Sequence, residues 1–192
     1  MADHSIKCKT VLIAGGAKNL GGLIARDLAQ QGVNAVAIHY NSAASKADAD
    51  ATVAAVKAAG AQAVAIQADL TTAGAVENLF ADAINAVGKP DIAINTVGKV
   101  LKKPFTEISE EFGARGISVT AVGPGPMDTP FFYPAEGADA VAYHKTAAAL
   151  SPSSKTGLTD IEDVVPFIRH LVSDGWWITG QTILINGGYT TK

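Results

Sequence analysis

A single cysteine, Cys8, stands among 192 residues, so no disulfide can form within the chain. Such sparing use of cysteine fits a reducing compartment, and Cys8 itself reads as an inert thiol near the start of the chain. Aromatic residues make up only 6% of the sequence and charged residues only 17%. The net charge is −3 and no basic cluster occurs. That argues against nucleic acid or an anionic membrane as a main partner. No apolar run approaches the length that spans a bilayer. The opening stretch, MADHSIKCKT, is polar and lacks the apolar core of a signal peptide. A cytoplasmic protein is expected. His4, His39, His144 and His170 are scattered without metal-ligand spacing, so no metal site is expected. A Gly-x-Ser-x-Gly nucleophile elbow is also lacking.

What is abundant is apolar, at 48% of residues. A chain of this length and composition suits one globular domain with a sizeable core. Short apolar runs without alternation recur: TVLIAG (10–15), AVAIHY (35–40), AVAIQAD (63–69), DIAINT (91–96), SVTAVGP (118–124) and TILIN (182–186). Strands buried on both faces read this way, and such strands belong to parallel sheets. Helical patterns lie between them. Leu20, Leu23, Ile24 and Leu28 share one helical face, as do Val76, Leu79, Phe80, Ile84 and Val87. A later helix opens with Thr159 and Glu162, spaced as a capping box. Its stripe is Ile161, Val164, Val165, Ile168, Leu171 and Val172, and Pro166 is expected to kink it. The Ala-rich stretch from Ala43 to Ala59 reads as a surface helix. Strands alternating with helices predict an α/β fold, a doubly wound parallel sheet of Rossmann-like type in a single domain spanning 1–192.

The most informative stretch is VLIAGGAKNLGGLIARDLAQQG (11–32). A strand enters a glycine-rich turn, and the turn opens a helix. Glycines let backbone approach a diphosphate, while the helix N-terminus offers free N–H groups and a partial positive charge. The turn therefore reads as a pyrophosphate cradle, in the context that the mechanism requires.

With that turn, the chain resembles the short-chain dehydrogenase/reductase family, and among its members the 3-oxoacyl-ACP reductases. The family turn reads Thr-Gly-x-x-x-Gly-x-Gly. Here Ala14, Gly15, Asn19 and Gly21 stand at those places. Asn19 replaces the middle glycine, a tolerable change because asparagine visits the left-handed region more readily than most residues. ADL (68–70) matches the family's adenine-contacting Asp. NTVG (95–98) resembles its Asn-Asn-Ala-Gly stretch beside the cofactor. GPGPMDT (123–129) resembles the segment that closes over the nicotinamide, and ITGQTILINGG (178–188) resembles its last strand. The resemblance covers nearly the whole chain. It implies a cofactor held by Gly15, Lys18, Asn19, Leu20 and Gly21 in the turn, and by Tyr40, Asn41 and Ser42 after the second strand. Further contacts are implied at Asp69 and Leu70, at Asn95, Thr96, Val97 and Gly98, and at Pro124, Gly125, Met127 and Thr129. A homotetramer and a small carbonyl or acyl substrate are implied as well.

The second strand ends in HYNS (39–42), without the acid that usually holds the ribose of NAD. Asn41 and Ser42 can donate to a 2′-phosphate, and Lys18 can supply a counter-charge. NADP is therefore expected over NAD. The same region of the family's lid corresponds to TPFFYPAEGADAVAYHK (129–145), where Phe131, Phe132 and Tyr133 either line an apolar pocket or pack under the loop. Trp176 and Trp177 are expected in the core or at an interface.

One element of the family chemistry is absent. Reduction by hydride needs an acid for the developing alkoxide, and the family uses a tyrosine with a lysine four residues later. Four residues after Tyr40, Tyr133 and Tyr143 stand Ala44, Gly137 and Ala147, the sequence stops before that position for Tyr189, and Tyr143 reads as an ordinary loop residue. The stretch TEISEEFGARGISV (106–119) joins what resembles the start of one family helix to the end of the next. A strand, two helices and the Ser, Tyr and Lys they carry are thus absent from the sequence. Two neighbouring strands would be left with buried unpaired N–H and C=O groups, at about 1–3 kcal/mol each. Two explanations stand: two stretches of a longer chain joined near Glu110–Glu111, or a real deletion leaving a dinucleotide-binding domain without catalysis. The first is favoured, and it predicts a Cα separation there well beyond the roughly 3.8 Å of a trans peptide. The function expected is NADP-dependent reduction of a ketone or 3-oxoacyl substrate. The alternative is a non-catalytic NAD(P)-binding protein.

Overall fold

The computed structural model describes residues 5–98 and 118–190. The junction expected at Glu110–Glu111 lies outside the described residues. The chain divides into two compact units, Met1–Gly98 and Lys99–Lys192, and each is described by itself.

The first unit runs β1 (Thr10–Ala14), α1 (Asn19–Gln30), β2 (Ala35–Tyr40), α2 (Lys46–Ala58), β3 (Gln62–Gln67), α3 (Ala75–Val87) and β4 (Ile92–Asn95). Its four strands form one parallel sheet in the order β3-β2-β1-β4. The order reverses between β1 and β4, so their C-terminal ends flank a topological switch point, where open α/β sheets bind ligands. Strand β2 is buried at every position, as its unbroken AVAIHY run predicts. Leu12, Ala37 and Ile66 of the sheet pack with Leu79 and Ala83 of α3 on one face. Ala17, Tyr40 and Ala49 cluster together, Ala49 coming from α2. The helix expected over 43–59 forms as a short 3-10 turn, Ala43–Ser45, followed by α2.

Helix α3 departs from its expected stripe. Leu79 and Ala83 are buried, yet Val76, Phe80 and Ile84 are 48%, 37% and 45% exposed. The apolar face is thus wider than the strip that the sheet covers. Strand β4, at the sheet edge, is likewise only half-buried.

The second unit runs β5 (Thr120–Gly123), α4 (Ala138–Ala147), α5 (Ile161–Leu171) and β6 (Gln181–Leu184), with β5 and β6 paired in parallel. All six expected strands form, and every pairing is parallel. Two expectations are corrected here and a third is narrowed. Tyr143 lies on helix α4 rather than in a loop, because α4 begins at Ala138. Thr159 caps nothing: Asp160 holds the N-cap position of α5 without a side-chain bond, while the Thr159 hydroxyl donates to Pro124 O at 2.7 Å. Of the two places expected for Trp176 and Trp177, the core does not hold them: they are 41% and 77% exposed and packed edge-on against each other at 4.7 Å. Helix α5 continues through Pro166 to Leu171 and buries Val164 and Val165. No helix among the described residues is long and apolar enough to cross a membrane.

Candidate functional site

The glycine turn sits at the C-terminal end of β1, at the switch point. Gly15 has φ +78°, and a Cβ there would meet Thr96 Oγ1 at 2.7 Å. A Cβ on Gly21 would fall on the carbonyl oxygen of Gly15. These two positions therefore require glycine for separate reasons, one conformational and one steric. Asn19 takes φ +51°, the left-handed conformation for which asparagine is suited. The first hydrogen bond into α1 runs from Gly22 N–H to Lys18 O at 3.0 Å. The N–H groups of Asn19, Leu20 and Gly21 precede it, and the first turn of a helix leaves such groups free for an outside acceptor.

Side chains from three other elements hold this turn from behind. Thr96, just past β4, donates to Ala14 O at 2.9 Å and lies 3.2 Å from Gly15 O. Thr52 of α2, fully buried, donates to Ala17 O at 2.7 Å. His39 of β2, 1% exposed, accepts from Gly15 N–H through Nδ1 at 3.1 Å and meets Ala68 O through Nε2 at 2.8 Å. Sequence reading missed Thr52 and His39. An isolated histidine inside the apolar run AVAIHY was the available signal, since a buried polar group must find partners.

The other expected residues fall as follows. Lys18 is paired with Asp48 of α2 at 2.8 Å, both partly exposed. Its ammonium is thus already engaged, by a residue that sequence reading did not single out. Asn41 and Ser42 are exposed just past β2, and Ser42 precedes the 3-10 turn. Tyr40 and Leu70 give their side chains to the core instead. The Asp69 carboxylate accepts from Thr71 N–H at 3.0 Å and from the Thr71 hydroxyl at 2.7 Å. Those two bonds, the hydroxyl's first, hold its carboxyl below the usual carboxylate range. Asn95 accepts from Val97 N–H at 2.9 Å, while Val97 and Gly98 are exposed.

In the second unit, Pro124, Gly125, Met127 and Thr129 form one stretch after β5. Gly125 has φ +70° and packs against Asn186. Thr159 secures the stretch: its N–H donates to Pro126 O at 3.0 Å, and its carbonyl accepts from Asp128 N–H at 3.1 Å. Thr129 is buried. Phe132 packs edge-on against Tyr133 and His144, whereas Phe131 is exposed.

The tyrosines with polar partners also lie here. Tyr133 donates to Asp128, and that bond, with burial and the negative charge of Asp128, pushes its phenol up. The Lys145 ammonium lies 5.8 Å from the Tyr133 ring centroid. Tyr189 meets His144 Nδ1 at 2.7 Å, and burial above all, then Tyr143 and Glu136, raises its phenol too. A tyrosine activated by a lysine would shift the other way. No group of three or more His, Cys, Asp or Glu among the described residues could hold a metal ion.

Comparisons with known proteins bear on the same segments. The family profile described as short chain dehydrogenase matches residues 9–112, and one described as Enoyl-(Acyl carrier protein) reductase matches residues 108–190. A Burkholderia cenocepacia protein whose crystal structure holds NADP is 62% identical and superposes with a TM-score of 0.93, over 100% of this chain and 97% of that one. An oxidoreductase of Methylorubrum extorquens is 36% identical over 115 residues, 60% of this chain but only 45% of its own length. A hydroxynaphthalene reductase-like protein of Metarhizium brunneum is 26% identical over 98% of this chain and 97% of its own. That alignment runs over 270 positions against 192 residues here, so the relative carries a long stretch with no counterpart.

Two outcomes are expected. Gly21→Ala forces the turn and α1 apart and lowers unfolding free energy by about 1–3 kcal/mol in denaturant titration. Gly137→Ala is the control, since that glycine has φ −74° and open space around it. Thr71→Ala returns the Asp69 carboxyl toward its ordinary range in a carboxyl NMR titration. The sign follows: a lowered carboxyl stabilises the fold above the ordinary range, and that contribution disappears as pH falls through the lowered value. An unmoved Asp69 in the variant would refute the assignment.

Proposed function

Because this chain belongs to the short-chain dehydrogenase family, we propose that it is an NADP-dependent oxidoreductase that reduces a ketone or a 3-oxoacyl group by hydride transfer. The observation that carries this reading is the glycine turn, built where the NADP-holding protein from Burkholderia cenocepacia matches at 62% identity. The turn suits a diphosphate: the glycine at 21 lets α1 start close against Gly15 and Thr96, and the N–H groups of Asn19, Leu20 and Gly21 precede the first hydrogen bond of the helix. NADPH, when bound, supplies a hydride to a carbonyl carbon. The chain's own residues bind and orient. Asn19, Leu20 and Gly21 offer N–H groups to the diphosphate, with Gly15 shaping the turn. Lys18, Asn41 and Ser42 take the 2′-phosphate, Asp69 takes the adenine, and the backbone at Tyr40 and Leu70 borders it. Asn95, Thr96, Val97 and Gly98 would contribute to holding the cofactor, as would Pro124, Gly125, Met127 and Thr129, which resemble the family's nicotinamide segment.

The acid for the alkoxide belongs, on this proposal, to a stretch between Glu110 and Glu111 that the sequence omits. Three observations support the omission. The two family profiles meet at residues 108–112. The Metarhizium brunneum relative carries a long additional stretch. Helix α3 and edge strand β4 expose apolar surface that further elements would cover. A cytoplasmic homotetramer completes the proposal. A second reading, an NADP-binding protein without catalysis, is favoured by one fact: Tyr40, Tyr133 and Tyr143 have Ala44, Gly137 and Ala147 four residues on, and not lysine.

The natural gene product decides between them. Its intact mass is expected well above 19.6 kDa, and it should oxidise NADPH with a panel of ketones and 3-oxoacyl thioesters. Saturable NADPH uptake without turnover on any of them selects the second reading; uptake of neither NADPH nor NADH defeats both. Asp48→Asn is expected to free Lys18 and tighten NADPH roughly two- to fivefold, leaving NADH unchanged, since an exposed ion pair is weak. Equal gains for both cofactors would remove Lys18 from the 2′-phosphate site.

A further inference from the structure

We propose that His39 is a positioning residue for the dinucleotide, holding the diphosphate turn and the Asp69 loop in one register through the two nitrogens of its ring. The inference rests on the reading above that the turn takes NADP.

Hydrogen-bond logic fixes the tautomer. A backbone N–H can only donate, so Nδ1, facing Gly15 N–H at 3.1 Å, is the acceptor. A carbonyl can only accept, so Nε2, 2.8 Å from Ala68 O, carries the proton. The imidazole is neutral, both of its nitrogens are used, and the side chain is enclosed within the unit. No rotation of the ring keeps both bonds.

The partners are what make this more than a packed histidine. Gly15 is the first residue of the turn and the one in the left-handed conformation nearest β1. Its N–H is held by His39 and its carbonyl side by Thr96, so its peptide orientation is set from both ends. That orientation places the Gly15 oxygen against Gly21, and so aims the first turn of α1. Ala68 immediately precedes Asp69. A single ring therefore ties together two segments that lie far apart in sequence and that grip opposite parts of one ligand. The general requirement is preorganisation: donors held in place before binding lose less freedom when the ligand arrives.

The two nitrogens can be tested separately. An asparagine oxygen lies as many bonds from Cβ as Nδ1 does, and a glutamine amide nitrogen as many as Nε2. His39→Asn thus keeps an acceptor for Gly15 N–H and gives up Ala68. His39→Gln keeps a donor for Ala68 O and gives up Gly15. Fluorescence titration with NADPH is expected to show His39→Gln weakened by roughly tenfold and His39→Asn by no more than about threefold, on the worth of one hydrogen bond. Thermal melting is read alongside. A merely structural histidine would lower both melting temperatures and leave affinity the same in the two folded variants. Equal affinities therefore overturn the proposal. Should either variant fail to fold, the wild-type chain answers alone: imidazole 15N spectra should show the proton on Nε2 and a coupling across the Gly15 N–H to Nδ1 that persists when NADPH is added. A proton on Nδ1, or a coupling that NADPH abolishes, overturns the proposal. Wild-type protein that takes up no NADPH would instead remove the functional reading on which it stands.

Discussion

Gly21 lies against the carbonyl oxygen of Gly15, and no residue with a side chain fits between them. This single close approach lets β1 turn directly into α1 with the helix's first N–H groups facing outward. Everything else in the first unit can be understood as holding that approach in place. Thr96 reaches it from the end of β4, Thr52 from α2 and His39 from β2. Each supplies a hydrogen bond to a backbone group of residues 14–17, and each comes from a different element. The sheet fixes those elements through parallel pairing on both sides of β1, with Val11 opposite both Val36 and Ile92. The turn is thus held by groups that the sheet and α2 position, although the turn itself contains almost no side chain to pack.

The same arrangement explains which parts of the molecule could be read in the sequence. The strands were legible because a parallel strand is buried on both faces, so its sequence shows an unbroken apolar run. The turn was legible because steric exclusion leaves glycine as the only choice, and Asn19 because few other residues adopt its backbone angle. These are local facts, written where they act. What could not be read was polar pairing over distance. Nothing near Lys18 in sequence announces Asp48 thirty residues on. Thr159 and Glu162 have capping-box spacing, yet the Thr159 hydroxyl is drawn to Pro124 O, thirty-five residues back. Local spacing offers one partner and tertiary structure offers another. The N-cap position falls one residue later, on Asp160, and the Thr159 hydroxyl is turned to donate to Pro124 O rather than to accept from the first-turn N–H groups of α5.

Helix α3 shows a different limit. Its stripe of Val76, Leu79, Phe80, Ile84 and Val87 predicts a face, and a face forms, but the sheet covers only the part that holds Leu79 and Ala83. Periodicity reports how much apolar surface a helix presents. It does not report how much covering the rest of the chain provides. Exposed Phe80 beside a half-buried edge strand is surplus apolar surface for a unit of this size, and exposed patches of this kind call for a partner element.

Charge decides what the described tyrosines can do. To protonate a nascent alkoxide and recover, a phenol needs a neighbouring cation that stabilises its anion. Tyr133 has Lys145 nearby, but it donates its proton to Asp128, and a carboxylate partner stabilises the neutral phenol over the phenolate. Tyr189 is drawn the same way by burial, with Glu136 adding to it. Tyr133 therefore closes a bond inside the 128–145 segment, and Tyr189 ties that segment to the C-terminal stretch through His144, both as neutral phenols. Proton transfer to substrate needs the opposite electrostatics. The first unit thus directs buried and part-buried hydrogen bonds at holding the glycine turn, while Tyr133 and Tyr189 of the second unit are made poorer acids by their surroundings, so neither is set up for that proton transfer.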